Sequence, residues 1–105
     1  MNIEELKQKA VSINDLYKKY DESRGKEPAS VESIVMQYVS DVGDLSRYIT
    51  KHERGDTEEN FKENISRELA EALSHVLVLS YKYDVNLEEA FLKEYNRLHA
   101  ELSKS

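Results

Sequence analysis

The chain has no cysteine, no tryptophan, one proline and three glycines in 105 residues. Without cysteine there are no disulfides, no thiolate metal sites and no cysteine nucleophile, so any metal must be held by oxygen or imidazole. The longest apolar stretch, around residues 76–79, is far too short to cross a bilayer. The opening MNIEELKQKA has no apolar run behind a basic start, which is not a signal-peptide pattern, and a cytoplasmic location is the expectation. Positive charge is also scarce, with 15 Lys+Arg against 21 Asp+Glu, a net charge of −6 and a pI of about 5.1. A basic footprint for nucleic acid or a membrane surface is therefore missing, and neither partner is expected. A phosphorylated small molecule stays open, because a metal ion can supply the positive charge. There is no glycine-rich phosphate loop and no serine–histidine–acid ordering.

What is present is helical periodicity. The length argues for one domain, residues 1–105. Ile3, Leu6, Ala10, Ile13, Tyr17 and Tyr20 recur every three or four positions and predict a first helix over about 3–20, capped by Asn2 with Glu5. Gly25 and Pro28 break the chain. A second helix is expected from residues 28–30 to His52, burying Val31, Val35, Tyr38, Val39, Val42, Leu45 and Ile49. A third is expected from just after Asp56, with Glu59 in the capping-box position, to about Tyr83. Its second half, LAEALSHVLVLSY, is apolar nearly all round and should be the most buried segment. Asn86 and Glu89 mark a fourth helix carrying Leu87, Phe91, Leu98 and Leu102 inward. The expected fold is an all-α, four-helix up-and-down bundle. So short a chain buries a modest core, and the apolar segment at 69–81 is easier to cover with a second copy.

The charges on these helices form two stripes. Gln37, Asp41, Asp44 and Tyr48 share one edge of the second helix, where only Arg47 stands close enough in sequence to pair with Asp44. Glu68, Glu71 and His75 share an edge of the third, beside Ala72 and Leu79. Antiparallel packing would bring the four carboxylates together at the rim of a core. Four such groups need a counter-charge to stay ionised. A hard divalent cation meets that need, Mg²⁺ or its relative Mn²⁺. Acidic pairs three apart are also common in a solvated helical face, so spacing alone is weak support. His75 is open to a ligand, base or simple hydrogen-bonding role; His52 and His99 read as surface residues. Tyr17, Tyr20 and Tyr38 lie on apolar stripes and read as core or interface, whereas Tyr48 shares the carboxylate edge and can stack on a base or donate to a carboxylate.

The order DVGDL at 41–45, then ELAEALSHVLVLSYKYDVNLEEAF at 68–91, resembles the MazG-like nucleoside triphosphate pyrophosphohydrolases over roughly residues 30–100. That family carries ExxE on one helix and ExxD on the next. Here the pairs are Asp41-x-x-Asp44 and Glu68-x-x-Glu71, with 23 residues between them. The resemblance implies a helical bundle assembled as a homodimer or homotetramer. It implies hydrolysis of a nucleoside triphosphate to the monophosphate and pyrophosphate, with Mg²⁺ held by Asp41, Asp44, Glu68 and Glu71. Lys93 and Asn96 match residues that approach the substrate phosphates in the family. It further implies that water attacks at the α-phosphorus, with a carboxylate or a metal-bound hydroxide as the base.

The departures are specific. Both residues of the first pair are Asp where the family prefers Glu, and the second pair ends in Glu71 where it prefers Asp. Ser40 stands where many members carry a further glutamate, and the family's tryptophans are missing. Three ligands thus differ by one methylene in reach, against metal distances that tolerate a few tenths of an ångström. The rival reading is a non-catalytic helical oligomer of the same fold that binds nucleotide, metal or a protein partner.

Overall fold

A computed structural model describes residues 1–104. It contains four α-helices: α1 (Ile3–Ser23), α2 (Val31–Glu53), α3 (Phe61–Lys82) and α4 (Leu87–Leu102). Among the described residues there is no strand. Among the described residues no helix is long and apolar enough to cross a membrane.

Local chemistry sets the helix starts. The Asn2, Ser30 and Asn86 side chains accept from the backbone N–H of Glu5, Ser33 and Glu89, each filling a donor that the first turn leaves open. α3 departs from expectation. It begins at Phe61, five residues after Asp56, and Asn60 makes no side-chain cap bond. The Phe61 ring instead stacks on His52 at the end of α2, with centroids 3.8 Å apart and planes within 7°. That stack closes the α2–α3 turn, where Gly55 takes a φ of 89° that suits a residue without a Cβ.

α3 is the axis of the molecule. α2 packs along it antiparallel, and α1 packs against it from another side. The core is small: Ala10, Ile34, Leu77 and Val78, flanked by Leu6, Leu79 and Leu87. α3 contributes the most buried residues, in the half where the sequence is apolar all round. Lys7 is also buried, and its ammonium donates to the Val85 carbonyl, tying α1 to the α3–α4 turn.

Three expected faces are exposed in whole or in part. α2 buries Ile34 and Asp41, with Tyr38, Leu45, Tyr48 and His52 half-buried, whereas Val35, Val39, Val42 and Ile49 are exposed. The helix is rotated so that its carboxylate edge, rather than its valine ridge, meets α3. α4 buries none of its residues. Leu87 reaches the core, but the Phe91, Leu98 and Leu102 side chains are exposed. On α1, Ile13, Tyr17 and Tyr20 are exposed as well, because only the Leu6–Ala10 end lies against α3's buried half.

Candidate metal centre

The rotation of α2 makes the site. Asp41 lies midway along that helix and is 3 % exposed. A carboxylate so buried needs hydrogen bonds, and it has one on each oxygen. Gln37, one turn earlier, donates to Oδ1 at 3.0 Å. His75 of α3 meets Oδ2 at 2.8 Å through Nε2. With Asp41 ionised, Nε2 carries the hydrogen and donates. This bond bridges 34 positions of sequence and fixes the register of α2 on α3.

One turn further along, Asp44 and Glu68 join Asp41. One oxygen from each of the three carboxylates lies within 4.8 Å of the others. Asp44 is at the open end, paired with Arg47 of its own helix. Glu68 is the least compensated member. Its Oε2 is shut off from solvent and has no hydrogen-bond partner. Burial pushes its carboxyl above the usual range; the charges of Glu71, Asp41 and Asp44 push the same way, and Arg67 opposes them. An orphaned acceptor oxygen beside two further carboxylates is a donor set for a hard cation, since all the ligands are oxygen and one has nothing else to bind.

Of the four predicted carboxylates, then, three form one cluster. Glu71 is exposed and stands outside it, on the wall of an adjoining cavity of about 550 Å³ between α1, α2 and α3. Asp41, Ser74 and His75 also line that cavity, and α1 adds Asn14 and Tyr17 to its wall. Tyr48 is half-buried on the expected edge of α2. Lys93 and Asn96 are exposed on α4, and neither lines the cavity.

Sequence reading left three partners unassigned. Gln37 was visible on the Asp41 stripe, and His75 on the Glu68/Glu71 stripe, but not that both serve Asp41. The cavity's Asn14 had no sequence signal, because it comes from a helix whose spacing says only where its apolar residues recur. Comparison with protein-family models, with curated proteins and with solved structures finds no match in any of the three.

Proposed function

We propose that the protein is a divalent-metal-dependent nucleotide pyrophosphohydrolase, cleaving a nucleoside triphosphate into the monophosphate and pyrophosphate and working as a homo-oligomer. The observation that carries this reading is the Asp41/Asp44/Glu68 cluster with its orphaned Glu68 oxygen. The sequence order DVGDL then ELAEA, which resembles the MazG-like enzymes, supplies the reaction class.

In this reading Asp41, Asp44 and Glu68 hold Mg²⁺ or Mn²⁺. When bound, the ion neutralises the phosphates and stabilises the charge that develops on them. The chain's residues do the remaining work. Gln37 and His75 hold Asp41 in place, as outer partners do for metal-binding carboxylates. Glu71, outside the trio and on the cavity wall, takes the proton from the attacking water. Water adds to the α-phosphorus, the bond from that phosphorus to the α–β bridging oxygen breaks, and pyrophosphate leaves. The cavity beside Asp41 receives the nucleoside, between the Tyr17 ring and the polar groups of Asn14 and Ser74. Tyr48, on the carboxylate edge, and Lys93 and Asn96, on α4, complete the proposed substrate contacts; the two α4 residues act from a neighbouring copy.

One observation favours a second reading, a non-catalytic module on the same scaffold. Glu71 does not join the other three carboxylates, so a metal held by three ligands without turnover is the rival. Pyrophosphate release from a panel of natural, deoxy and modified nucleoside triphosphates, with Mg²⁺ and with Mn²⁺, separates the two. The enzyme releases it and Glu68→Gln does not; the binding module shows metal affinity and no release.

A further inference from the structure

The cavity beside Asp41 is short of hydrogen-bond donors. On α2 its wall runs from Ser33 to Asp41, a rise of about 12 Å. From α1 it takes Asn14, Tyr17 and Asp21, spaced three and four apart and so on one stripe of that helix. Among the described residues no lysine or arginine lines it. Three of its donor groups are already engaged. The Gln37 amide and His75 Nε2 both serve Asp41, and the Ser33 hydroxyl donates to the Ser30 carbonyl. Its acceptors are less well served. Asp21 is half-buried, and its carboxylate has no hydrogen bond or ion pair with any described residue. A carboxylate held partly out of water without a partner favours a ligand that brings N–H donors.

We infer, building on the nucleotide reading of this site, that the cavity selects a nucleobase with an exocyclic amino group, cytosine or adenine, and that Asp21 is the residue that selects it. Uracil, thymine and hypoxanthine, which carry a carbonyl there, are the bases it rejects. Tyr17 supplies the flat contact. It stands about one turn before Asp21 on the same stripe, so a base stacked on its ring lies within a turn of the carboxylate. An ionised carboxylate accepts and cannot donate. It pairs with the N4 amino group of cytosine, as acidic side chains do where they read that base in a nucleic acid, and with the N6 amino group of adenine. A carbonyl oxygen at the same position sets two acceptors against each other. Glu71, the other carboxylate on the wall without a hydrogen bond, is the proposed acceptor of the water proton.

Charge orients the rest of the substrate. A wall without a cation does not hold phosphates. The cations nearest the carboxylate cluster are Arg47, paired with Asp44, and Arg67, whose charge acts on Glu68. Arg47 follows Asp44 along α2, Arg67 precedes Glu68 on antiparallel α3, and the α2 wall of the cavity runs the other way from Asp41. The nucleoside therefore lies on the cavity side of the cluster, with its phosphates toward the two arginines.

The test is titration of nucleosides, which carry no phosphate, into the metal-free full chain, followed by chemical shifts of the Asn14 side-chain amide and the backbone amides of the cavity wall. Cytidine against uridine, and adenosine against inosine, are pairs matched in size. In each pair the amino-bearing member should bind about tenfold or more tightly. Asp21→Asn, which exchanges one acceptor oxygen for a donor, should remove that preference while uridine binding holds or rises. Tyr17→Leu should weaken all four nucleosides and leave the preference in place. Equal affinities within both pairs overturn the inference, as does an unaltered preference in Asp21→Asn or the absence of binding by every nucleoside. Pyrophosphate release from the triphosphates is a separate reading. Release without a base preference keeps the proposed reaction and removes Asp21 as selector; a nucleoside preference without release does the reverse.

Discussion

Glu68 sits where ionisation is penalised. Its folded pKa lies above the ordinary 4.5, so the folded chain binds this proton more tightly than the unfolded chain does. Its contribution to stability is present below that ordinary value and is lost as pH rises through the raised one. Metal-free protein should therefore gain stability from Glu68 as pH falls through that window, read as the denaturant midpoint at successive pH values. Glu68→Gln should flatten this dependence and raise the melting temperature at neutral pH by a few degrees, while weakening Mn²⁺ binding at least tenfold. His75 makes a separate prediction. A partner that orients a ligand costs about 10–100-fold in metal affinity when removed. His75→Leu should show that loss, and His75→Gln, which keeps an N–H donor, should recover part of it. Equal affinity in all three proteins would remove His75 from the site.

At the scale of helices, sequence signals were strongest where the chemistry is local. The Asn2, Ser30 and Asn86 caps are side chain to backbone over three residues, and such bonds can be read from residue type and spacing. The start of α3 was not legible, because a His52–Phe61 stack across the turn outweighed the Asp56/Glu59 pattern. Which face of α2 turns inward was not legible either. Hydrophobicity favours the valine ridge, but Asp41 has two donors waiting, one of them on α3. The same logic predicts how α4 responds to a lost cap. A 16-residue helix with no buried residue is marginal by itself. Asn86→Ala should cost about 1 kcal/mol locally. It should appear as lost helical ellipticity and faster amide exchange over 87–102, with the main melting transition unmoved. A change in the main transition instead would mean that α4 is packed more firmly than its exposure indicates.

The whole molecule is more extended than its length requires. Its radius of gyration is 17.1 Å, against about 13 Å for a compact chain of this size. A core of four well-buried apolar residues is slender support for 105. Length already pointed to a modest core, and the expectation drawn from the apolar segment at 69–81 was that a second copy would cover it. It could not say which surface is left over, because that depends on the rotation of α2. If association supplies the missing burial, the melting temperature should rise with protein concentration, as linkage requires. A concentration-independent value would speak against it. The sequence placed two acidic pairs on two helices; that Asp41, Asp44 and Glu68 come together while Glu71 stays exposed depends on how α2 and α3 are rotated against each other, which spacing does not carry. Whether the carboxylate cluster supports hydrolysis is read from metal-dependent pyrophosphate release by the wild-type chain beside Glu68→Gln. Release should need Mg²⁺ or Mn²⁺ and vanish in the variant. No release from folded wild-type protein with either metal, or equal release from the variant, would contradict it.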